Sequence, residues 1–211
     1  MMSLVAGCLT MINGVKVIGL CGKARSGKDT FARMLADELN TQAGVKATIM
    51  SLALPIKSML ANFLSPFVAS KELLYVLLYG DLKELVIPAI GKSPRQLMQT
   101  LGTEWGRDQV RNDVWLVHMK ESIRMWERTD GASAQCKLFV VIPDIRFNNE
   151  APIADTIYRV ERDDSPTVAE HPSEQGIFRD LIDRVVVNNT TKDSLRATAK
   201  ELATELLNKD K

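Results

Sequence analysis

Short apolar runs alternate with amphipathic stretches along this chain, and the alternation predicts strands connected by helices. Apolar, β-branched runs predict five strands, at residues 15–20, 45–54, 137–143, 156–160 and 184–187. Apolar residues at helical spacing predict helices at about residues 31–39, 55–66, 73–87, 94–101, 113–128 and 193–207. Strands that alternate with helices are typical of a parallel sheet covered on both faces. The pattern therefore predicts one α/β domain over residues 1–211.

Two helices can be delimited more closely from their residues. Ser93 is the expected N-cap of one, with Pro94 at its first position and Gln96 closing a capping box. We expect this helix to stop at Gly102, because glycine often follows the end of a helix. In the helix that begins near Pro55, four apolar residues are expected to share one face: Met59, Leu60, Phe63 and Leu64. Residues 1–14 are expected to form an N-terminal extension.

Composition narrows the classes of function. The 211 residues are 45% hydrophobic and 25% charged, as in a globular enzyme. Lys and Arg number 27 against 26 Asp and Glu, so the net charge of +1 gives no general attraction for nucleic acid. No window offers about 18 uninterrupted apolar residues, so we expect no membrane association. The expected partner is a small molecule, and the oligomeric state, a homodimer included, stays open.

The cysteines indicate a reducing compartment. Cys8, Cys21 and Cys136 are odd in number, widely spaced and part of no CxxC or Cys/His cluster. Neither a disulfide framework nor a zinc site is expected, and a cytoplasmic setting fits. In that setting the glycosylation sequons within residues 188–191 are expected to have no role.

Residues 22–28 match GxxxxGK and stand between an apolar strand and an amphipathic helix. The glycines let backbone N–H groups turn toward one point, where the start of the helix adds positive potential and Lys28 reaches the outer phosphates. A structural glycine-rich turn is the alternative. In this context the motif predicts a triphosphate site with these candidate residues: Gly22, Ala24, Arg25, Ser26, Gly27, Lys28, Asp29 and Thr30.

Three residues are candidates for binding Mg²⁺. Asp29 stands where a Ser or Thr usually follows the Lys of this motif, and Thr30 comes next, so the metal role is assigned to the pair jointly. Asp144 follows the most hydrophobic strand, at the end of the sheet where open parallel sheets bind ligands. Two structural alternatives stay open. Asp29 also fits an acid that stabilises the start of a helix, and Asp144 also fits a surface ion pair with Arg146.

Arginines form the third group of candidates. One set lies in the helical region and the other around a polar stretch after the fourth strand: Arg95, Arg107, Arg111, Arg159, Arg162 and Arg179. A planar guanidinium binds phosphate through paired hydrogen bonds, each contributing about 1.5–3 kcal/mol. Two or three arginines converging on one anion would hold a monophosphate. Any one of them alone also fits a solvated helix face.

Three blocks of sequence carry a family resemblance. They are residues 22–30 (GKARSGKDT), residues 95–104 (RQLMQTLGTE) with Arg107, and residues 144–150 (DIRFNNE). In this order the blocks resemble the deoxynucleoside monophosphate kinases of tailed bacteriophages, and the likeness extends from about residue 15 to the last helix. The form GKD in place of GK[ST] is shared by that family.

The resemblance implies a P-loop kinase fold: three α/β/α layers with a five-stranded parallel sheet, a helical acceptor-binding region at about residues 55–130 and a lid at about residues 161–177. It implies Mg²⁺-dependent transfer of the γ-phosphoryl group of ATP to a deoxynucleoside 5′-monophosphate, in the host cytoplasm if a phage encodes the protein. The catalytic residues that it implies are Lys28, Arg107 and Arg146. The substrate-binding residues that it implies are Arg95, Gln99, Arg107, Arg146 and Arg162.

Other kinases and hydrolases remain as alternatives. Animal-type phosphomevalonate kinases resemble this chain in having a GKD loop, and dephospho-coenzyme A is another candidate acceptor. A P-loop ATPase or switch would hydrolyse ATP without any acceptor. The acceptor separates these classes, because only a kinase consumes ATP faster when its acceptor is added.

Overall fold

The computed structural model describes residues 14–129, 136–163 and 176–208. The chain divides into two compact units. The sheet unit takes residues up to 50 and from 119 onward, and the helical unit takes residues 51–118. The helical unit therefore covers most of the predicted helical region, while residues 119–129 group with the sheet. That the whole chain acts as one domain stays a prediction.

The five predicted strands are all present and parallel. Their bounds are Val15–Cys21 (β1), Val45–Ile49 (β2), Lys137–Ile142 (β3), Thr156–Glu161 (β4) and Arg184–Val187 (β5). The order across the sheet is β2-β3-β1-β4-β5, so β1 lies at the centre and pairs with β3 and β4. Because parallel strands end at the same edge, the segments that follow β1, β3 and β4 lie close together.

Both faces of the sheet are buried. Helices α1 (Lys28–Asn40) and α6 (Lys192–Asn208) pack together over one face. The large buried side chains of that layer include Phe31, Leu35, Phe139 and Leu202. On the opposite face the alternate strand residues Val17, Val140 and Ile142 are buried. Ile123 of helix α5 (Val114–Thr129) is fully buried as well. This arrangement confirms the predicted α/β class with a five-stranded parallel sheet.

The helical unit is built from short helices. These are α2 (Leu54–Leu64), α3 (Lys71–Tyr79), α4 (Pro94–Gln99), a π-helix (Thr100–Val110) and the start of α5. Single turns of 3₁₀-helix follow α2 and α3, at Ser65–Phe67 and Asp81–Glu84. Across the described residues, no helix combines the length and the apolar character that a membrane crossing requires.

The end of β2 and the buried face of α2 both differ from prediction. Strand β2 ends at Ile49 rather than near residue 54, because Ser51 begins a turn: its carbonyl accepts from the Leu54 N–H at 3.0 Å and its hydroxyl from the Ala53 N–H at 3.2 Å. The buried face of α2 is also shifted. Residues four apart align on a helix, so its buried residues are Ile56, Leu60 and Leu64. Met59 and Phe63 are 41% and 53% exposed, so only Leu60 and Leu64 of the four residues predicted to share a face are buried.

The helix that begins at Ser93 does not stop at Gly102. Its capping box is present, but α4 continues into the π-helix, in which the Arg111 N–H donates to the Gly106 carbonyl at 2.9 Å. The two glycines are packing positions for Trp115. Its indole N–H donates to the Gly102 carbonyl at 2.7 Å, and a β-carbon at Gly106 would lie 2.6 Å from its ring. Glycine therefore admits the indole here and does not end the helix.

Candidate nucleotide-binding site

The glycine-rich loop connects β1 to α1 at the centre of the sheet. Gly22 and Gly27 have φ angles of 134° and 97°, and Arg25 is the single described non-glycine residue with a positive φ, at 62°. A β-carbon at Gly22 would lie 2.2 Å from the Val160 carbonyl oxygen, so β4 leaves room for glycine alone at this position. The loop is thus bent as an anion-binding turn requires, with a helix N-terminus directly behind it.

Two side chains inside the loop fit a polar ligand. The Lys28 ammonium donates to the carbonyl oxygens of Gly22 at 2.7 Å and Lys23 at 2.5 Å, so its charge is held at the loop. Ser26 is 1% exposed, and its hydroxyl has no hydrogen-bond partner within the described part of the chain. A buried hydroxyl without a partner is costly, so this atom indicates a ligand that accepts or donates a hydrogen bond here.

A cavity of about 460 Å³ opens beside the loop, within the size range of small-molecule sites. The loop, the segment after β3, the end of β4 and residues 176–177 line it. Its charged lining residues are Lys23, Arg146, Arg159, Arg162, Glu161 and Asp163. Four cations against two anions make the lining favourable for a ligand that carries several negative charges.

The segment after β3 is shaped by a buried carboxylate. Glu150 is 2% exposed and accepts hydrogen bonds from the backbone N–H groups of Arg146 at 2.7 Å and Phe147 at 3.0 Å. The Ile145 N–H donates to the Leu20 carbonyl of β1 at 3.0 Å, which ties the segment to the strand before the loop. Arg146, predicted to lie near the transferred group, is thereby fixed by its backbone beside the cavity. Glu150 carries no predicted role of its own in the sequence, and its position becomes apparent only in the fold.

Arg159 pairs with Cys21 across β4 and β1 and lines the cavity. One of its guanidinium nitrogens donates to the Ile177 carbonyl at 2.9 Å. Burial raises the pKa of the Cys21 thiol above its usual value, although a hydrogen bond to Arg159 and the charges of Arg159 and Lys28 oppose the rise. Cys21 is therefore a neutral lining residue at neutral pH.

Arg162 is exposed and lines the cavity beyond the end of β4. The lid predicted at about residues 161–177 lies largely outside the described residues, which resume at Gly176. The described chain on either side of that gap is anchored: Asp163 N–H donates to Asn189 Oδ1 at 3.0 Å, and Phe178 N–H donates to Asn148 Oδ1 at 2.8 Å. The lid itself stays a prediction.

The candidate Mg²⁺ residues belong to the segments that follow two neighbouring strands, β1 and β3. Asp29 is exposed in the first turn of α1, Thr30 is half-buried beside it, and Asp144 is half-buried two residues after β3. No three His, Cys, Asp or Glu side chains come together as a metal cluster in the described part. Mg²⁺ commonly binds through one or two carboxylates together with waters and substrate phosphates, so the oxygen chemistry of these residues fits it.

The predicted acceptor residues belong to the helical unit. Arg95, in the first turn of α4, forms an ion pair with Glu84, and Gln99 is the last residue of α4. Arg107 lies in the π-helix, and one of its guanidinium nitrogens donates to the Asn112 carbonyl at 3.1 Å. Arg111, in the same stretch, pairs with Asp113 and is 61% exposed. Each of the two predicted phosphate-binding arginines thus has a partner inside its own unit.

Comparison with known proteins decides the family. The sequence profile of a family described as deoxynucleotide monophosphate kinase matches residues 81–199, more than half of the chain. The chain belongs to this family. The family resemblance seen in the sequence is thereby confirmed, and the chain is a member of a family of phosphotransferases. The matched stretch contains Arg95, Arg107 and Arg146, whereas the glycine-rich loop precedes it.

Two individual proteins are similar to this member of the kinase family. A deoxynucleoside-5′-monophosphate kinase of Escherichia phage T5 is 28% identical over 138 residues, which are 60% of this chain and 52% of the phage protein. The chain thus spans about half the length of this curated relative. Among solved structures, a dephospho-CoA kinase from Campylobacter jejuni has a TM-score of 0.42 and 12% identity, with 93% of this chain and all of that chain covered.

Proposed function

We propose that the protein transfers the γ-phosphoryl group of ATP to a deoxynucleoside 5′-monophosphate, producing a deoxynucleoside diphosphate and ADP. The observation that carries the proposal is the buried hydroxyl of Ser26, which has no partner among the described residues and belongs to the glycine-rich loop that also holds the Lys28 ammonium, in a member of a kinase family. A structural turn would give that hydroxyl a partner within the fold, whereas a phosphate site supplies one only when the ligand binds.

The donor phosphates are assigned to the loop. Its backbone N–H groups and the N-terminus of α1 favour negative charge, and Lys28 is long enough to reach the outer phosphates of a triphosphate. Bound phosphate oxygens would replace the two carbonyl partners of the Lys28 ammonium and would accept from the Ser26 hydroxyl. The basic lining at Lys23, Arg146 and Arg162 then faces a ligand of opposite charge.

Phosphoryl transfer is proposed to depend on the positioning of the two substrates and on the stabilisation of negative charge. An oxygen of the acceptor phosphate forms a bond to the γ-phosphorus, the bond to the β–γ bridging oxygen breaks, and ADP leaves with that electron pair. Negative charge spreads over the migrating group, and Lys28 and Arg146 are the side chains proposed to stabilise it. Mg²⁺, when bound, neutralises charge on the phosphate oxygens, and Asp29, Thr30 and Asp144 would hold it or its waters.

The acceptor is assigned to the helical unit. Arg95 and Arg107 are proposed to bind its phosphate, and Gln99 is proposed to contact the same substrate. Arg107 is then also catalytic, because the phosphate that it holds is the attacking group. The relative from phage T5 is named as a deoxynucleoside-5′-monophosphate kinase, and we extend that substrate class, deoxynucleotide synthesis and a host-cytoplasmic location to this chain as part of the proposal.

One assay tests the proposal. ADP release is measured with Mg²⁺ and ATP against a panel of deoxy- and ribonucleoside monophosphates, with phosphomevalonate and dephospho-coenzyme A included, and the diphosphate product is identified by mass spectrometry. At least one deoxynucleoside monophosphate should raise ADP release far above the rate without acceptor. A rate that no acceptor changes would instead support a P-loop ATPase, and stimulation by phosphomevalonate or dephospho-coenzyme A alone would reassign the substrate.

A further inference from the structure

Asn188 directly follows β5 and reaches the glycine-rich loop from 162 residues further along the chain. Its side-chain amide nitrogen donates to the Ser26 carbonyl at 2.9 Å, and the bond is partly buried. A β-carbon at Gly27 would lie 2.3 Å from the same nitrogen, so the amide packs directly against the Gly27 backbone. Asn188 therefore contacts both ends of the peptide bond between Ser26 and Gly27.

The other side of Asn188 is held by the sheet. Its own N–H donates to the Glu161 carbonyl at 2.7 Å, which continues the pairing of β4 with β5 by one residue. The next residue, Asn189, donates to the Asp163 carboxylate at 2.6 Å and accepts from the Asp163 N–H at 3.0 Å. The end of β4 thus fixes the backbone from which the Asn188 side chain extends, and the side chain has a defined direction.

The bond at Ser26 orients a phosphate-facing group. A trans peptide is planar, with its carbonyl and its N–H pointing in opposite directions. Holding the Ser26 carbonyl toward Asn188 therefore fixes the Gly27 N–H away from Asn188. In loops of this kind such N–H groups bind the phosphates, and glycine at position 27, with φ of 97°, has many other accessible conformations.

We propose that Asn188 is a positioning residue for the donor nucleotide: it holds the peptide between Ser26 and Gly27 in the orientation that binds phosphate. The inference rests on the proposed function for its ligand class, since the donor is taken to be a nucleoside di- or triphosphate. It predicts that losing the Asn188 amide weakens donor binding without a matching loss of affinity for the acceptor.

The test compares two variants of Asn188 with a neighbouring control. Asn188→Ala removes the amide, and Asn188→Leu keeps the branched shape of the side chain without a donor. Asn189→Ala is the matched control, because it also removes side-chain hydrogen bonds at this turn but none to the loop. The Kd values of ADP and ATP are measured by calorimetry, and the KM of each substrate is measured in the transfer assay.

Both Asn188 variants should bind ADP and ATP about 10-fold more weakly, as for a lost hydrogen bond of ordinary strength. The KM for ATP should rise by the same factor while the acceptor KM stays within about twofold, and amide hydrogen exchange should accelerate in residues 22–30. The Asn189→Ala variant should keep its donor Kd within about twofold of the parent.

Three outcomes would overturn the proposal. They are unchanged ADP binding in folded Asn188 variants, an equal loss of affinity for donor and acceptor, and global unfolding of both variants, since a bond that orients one peptide does not carry the fold. The proposed function fails separately. If the parent protein binds ADP but transfers no phosphoryl group, the ADP-binding comparison still decides the role of Asn188.

Discussion

The candidate phosphate-binding groups of the sheet unit and of the helical unit are held in different ways. In the sheet unit the loop at residues 22–28 is built from backbone, and glycine conformations, β4 and Asn188 fix it. In the helical unit the candidates are the long side chains of Arg95 and Arg107, and both are already engaged by neighbours. Under the proposed function, the loop is already shaped for an anion, whereas Arg95 and Arg107 would exchange their present partners for one.

For Arg95, giving up its ion pair with Glu84 costs little free energy. Arg95 and Glu84 form a pair in which the Glu84 side chain is 60% exposed, and pairs of this kind typically contribute less than about 1 kcal/mol. A phosphate that accepts two charge-assisted hydrogen bonds from Arg95 would contribute more free energy than this ion pair. The comparison therefore predicts that substitutions in the loop damage transfer most and that substitutions in the helical unit act mainly through the acceptor KM.

Removing charge at the transferred group should give the largest effect. Lys28→Ala and Arg146→Ala should each lower kcat by about 10²–10³-fold while the protein stays folded, because each removes a group that is proposed to stabilise the developing charge. The measurement is ADP release with saturating ATP and acceptor, and circular dichroism checks the fold. Lys200→Ala and Arg196→Ala, at exposed sites on α6, are the controls and should be near normal. Near-normal rates in the first two variants would contradict their assigned roles.

Substitution of the helical-unit arginines should separate the two substrates. Arg95→Ala and Arg107→Ala should each raise the acceptor KM by about 10–100-fold, the loss expected for a charge-assisted hydrogen bond. The KM for ATP should change by less than about threefold, because the loop is untouched. Arg111→Ala, in the same unit but paired with Asp113, is the control. Equal increases in both KM values would contradict the assignment of the acceptor phosphate to Arg95 and Arg107.

The π-helix offers a test of how Arg107 is held. Trp115→Phe keeps an aromatic ring against Gly106 but deletes the N–H that donates to the Gly102 carbonyl. The free energy of unfolding should fall by about 1–3 kcal/mol, since that carbonyl is buried, and the acceptor KM should rise several-fold. Urea unfolding and steady-state kinetics measure the two effects. Trp126→Phe on the same helix is the control, and an unchanged acceptor KM in Trp115→Phe would separate the π-helix from the acceptor site.

The smallest expected effect concerns the ion pair between Arg95 and Glu84. Glu84→Gln removes the charge that competes with phosphate for Arg95, so the acceptor KM should fall by about twofold, in line with the low energy of an exposed ion pair. Initial rates at subsaturating acceptor measure the change. Glu121→Gln, which weakens another exposed pair, should have no effect. A higher acceptor KM in Glu84→Gln would mean that Glu84 orients Arg95 rather than competing for it.

The elements that could be predicted from sequence depend on neighbouring residues. The loop motif and its strand and helix fall within about 25 residues, and the capping box is complete within four: Ser93 N–H donates to Gln96 Oε1 at 2.9 Å and Gln96 N–H to Ser93 Oγ at 3.3 Å. Local chemistry decides such features, so spacing alone identifies them.

The features that could not be predicted depend on contacts between distant residues. Gly102 looks like a helix stop until Trp115, 13 residues later, is known to donate to it. Asn188 lies in a glycosylation sequon for which no role was expected. The spacing of residues in the sequence does not indicate its hydrogen bond to the Ser26 carbonyl. Glu150 is a further example. Its carboxylate accepts from two backbone N–H groups because the segment after β3 folds back on itself, and the residue pattern does not predict that fold.

The order of the strands in the sheet determines when the glycine-rich loop can take its final shape during synthesis of the chain. β1 pairs with β3 and β4, which begin at Lys137 and Thr156, and the loop is held by the side chain of Asn188. At ribosomal speeds of about 5–20 residues per second, the loop waits on the order of 10 s for that side chain. In a nascent chain the residues of the glycine-rich loop therefore emerge long before the strands and the side chain that hold the loop in its final shape.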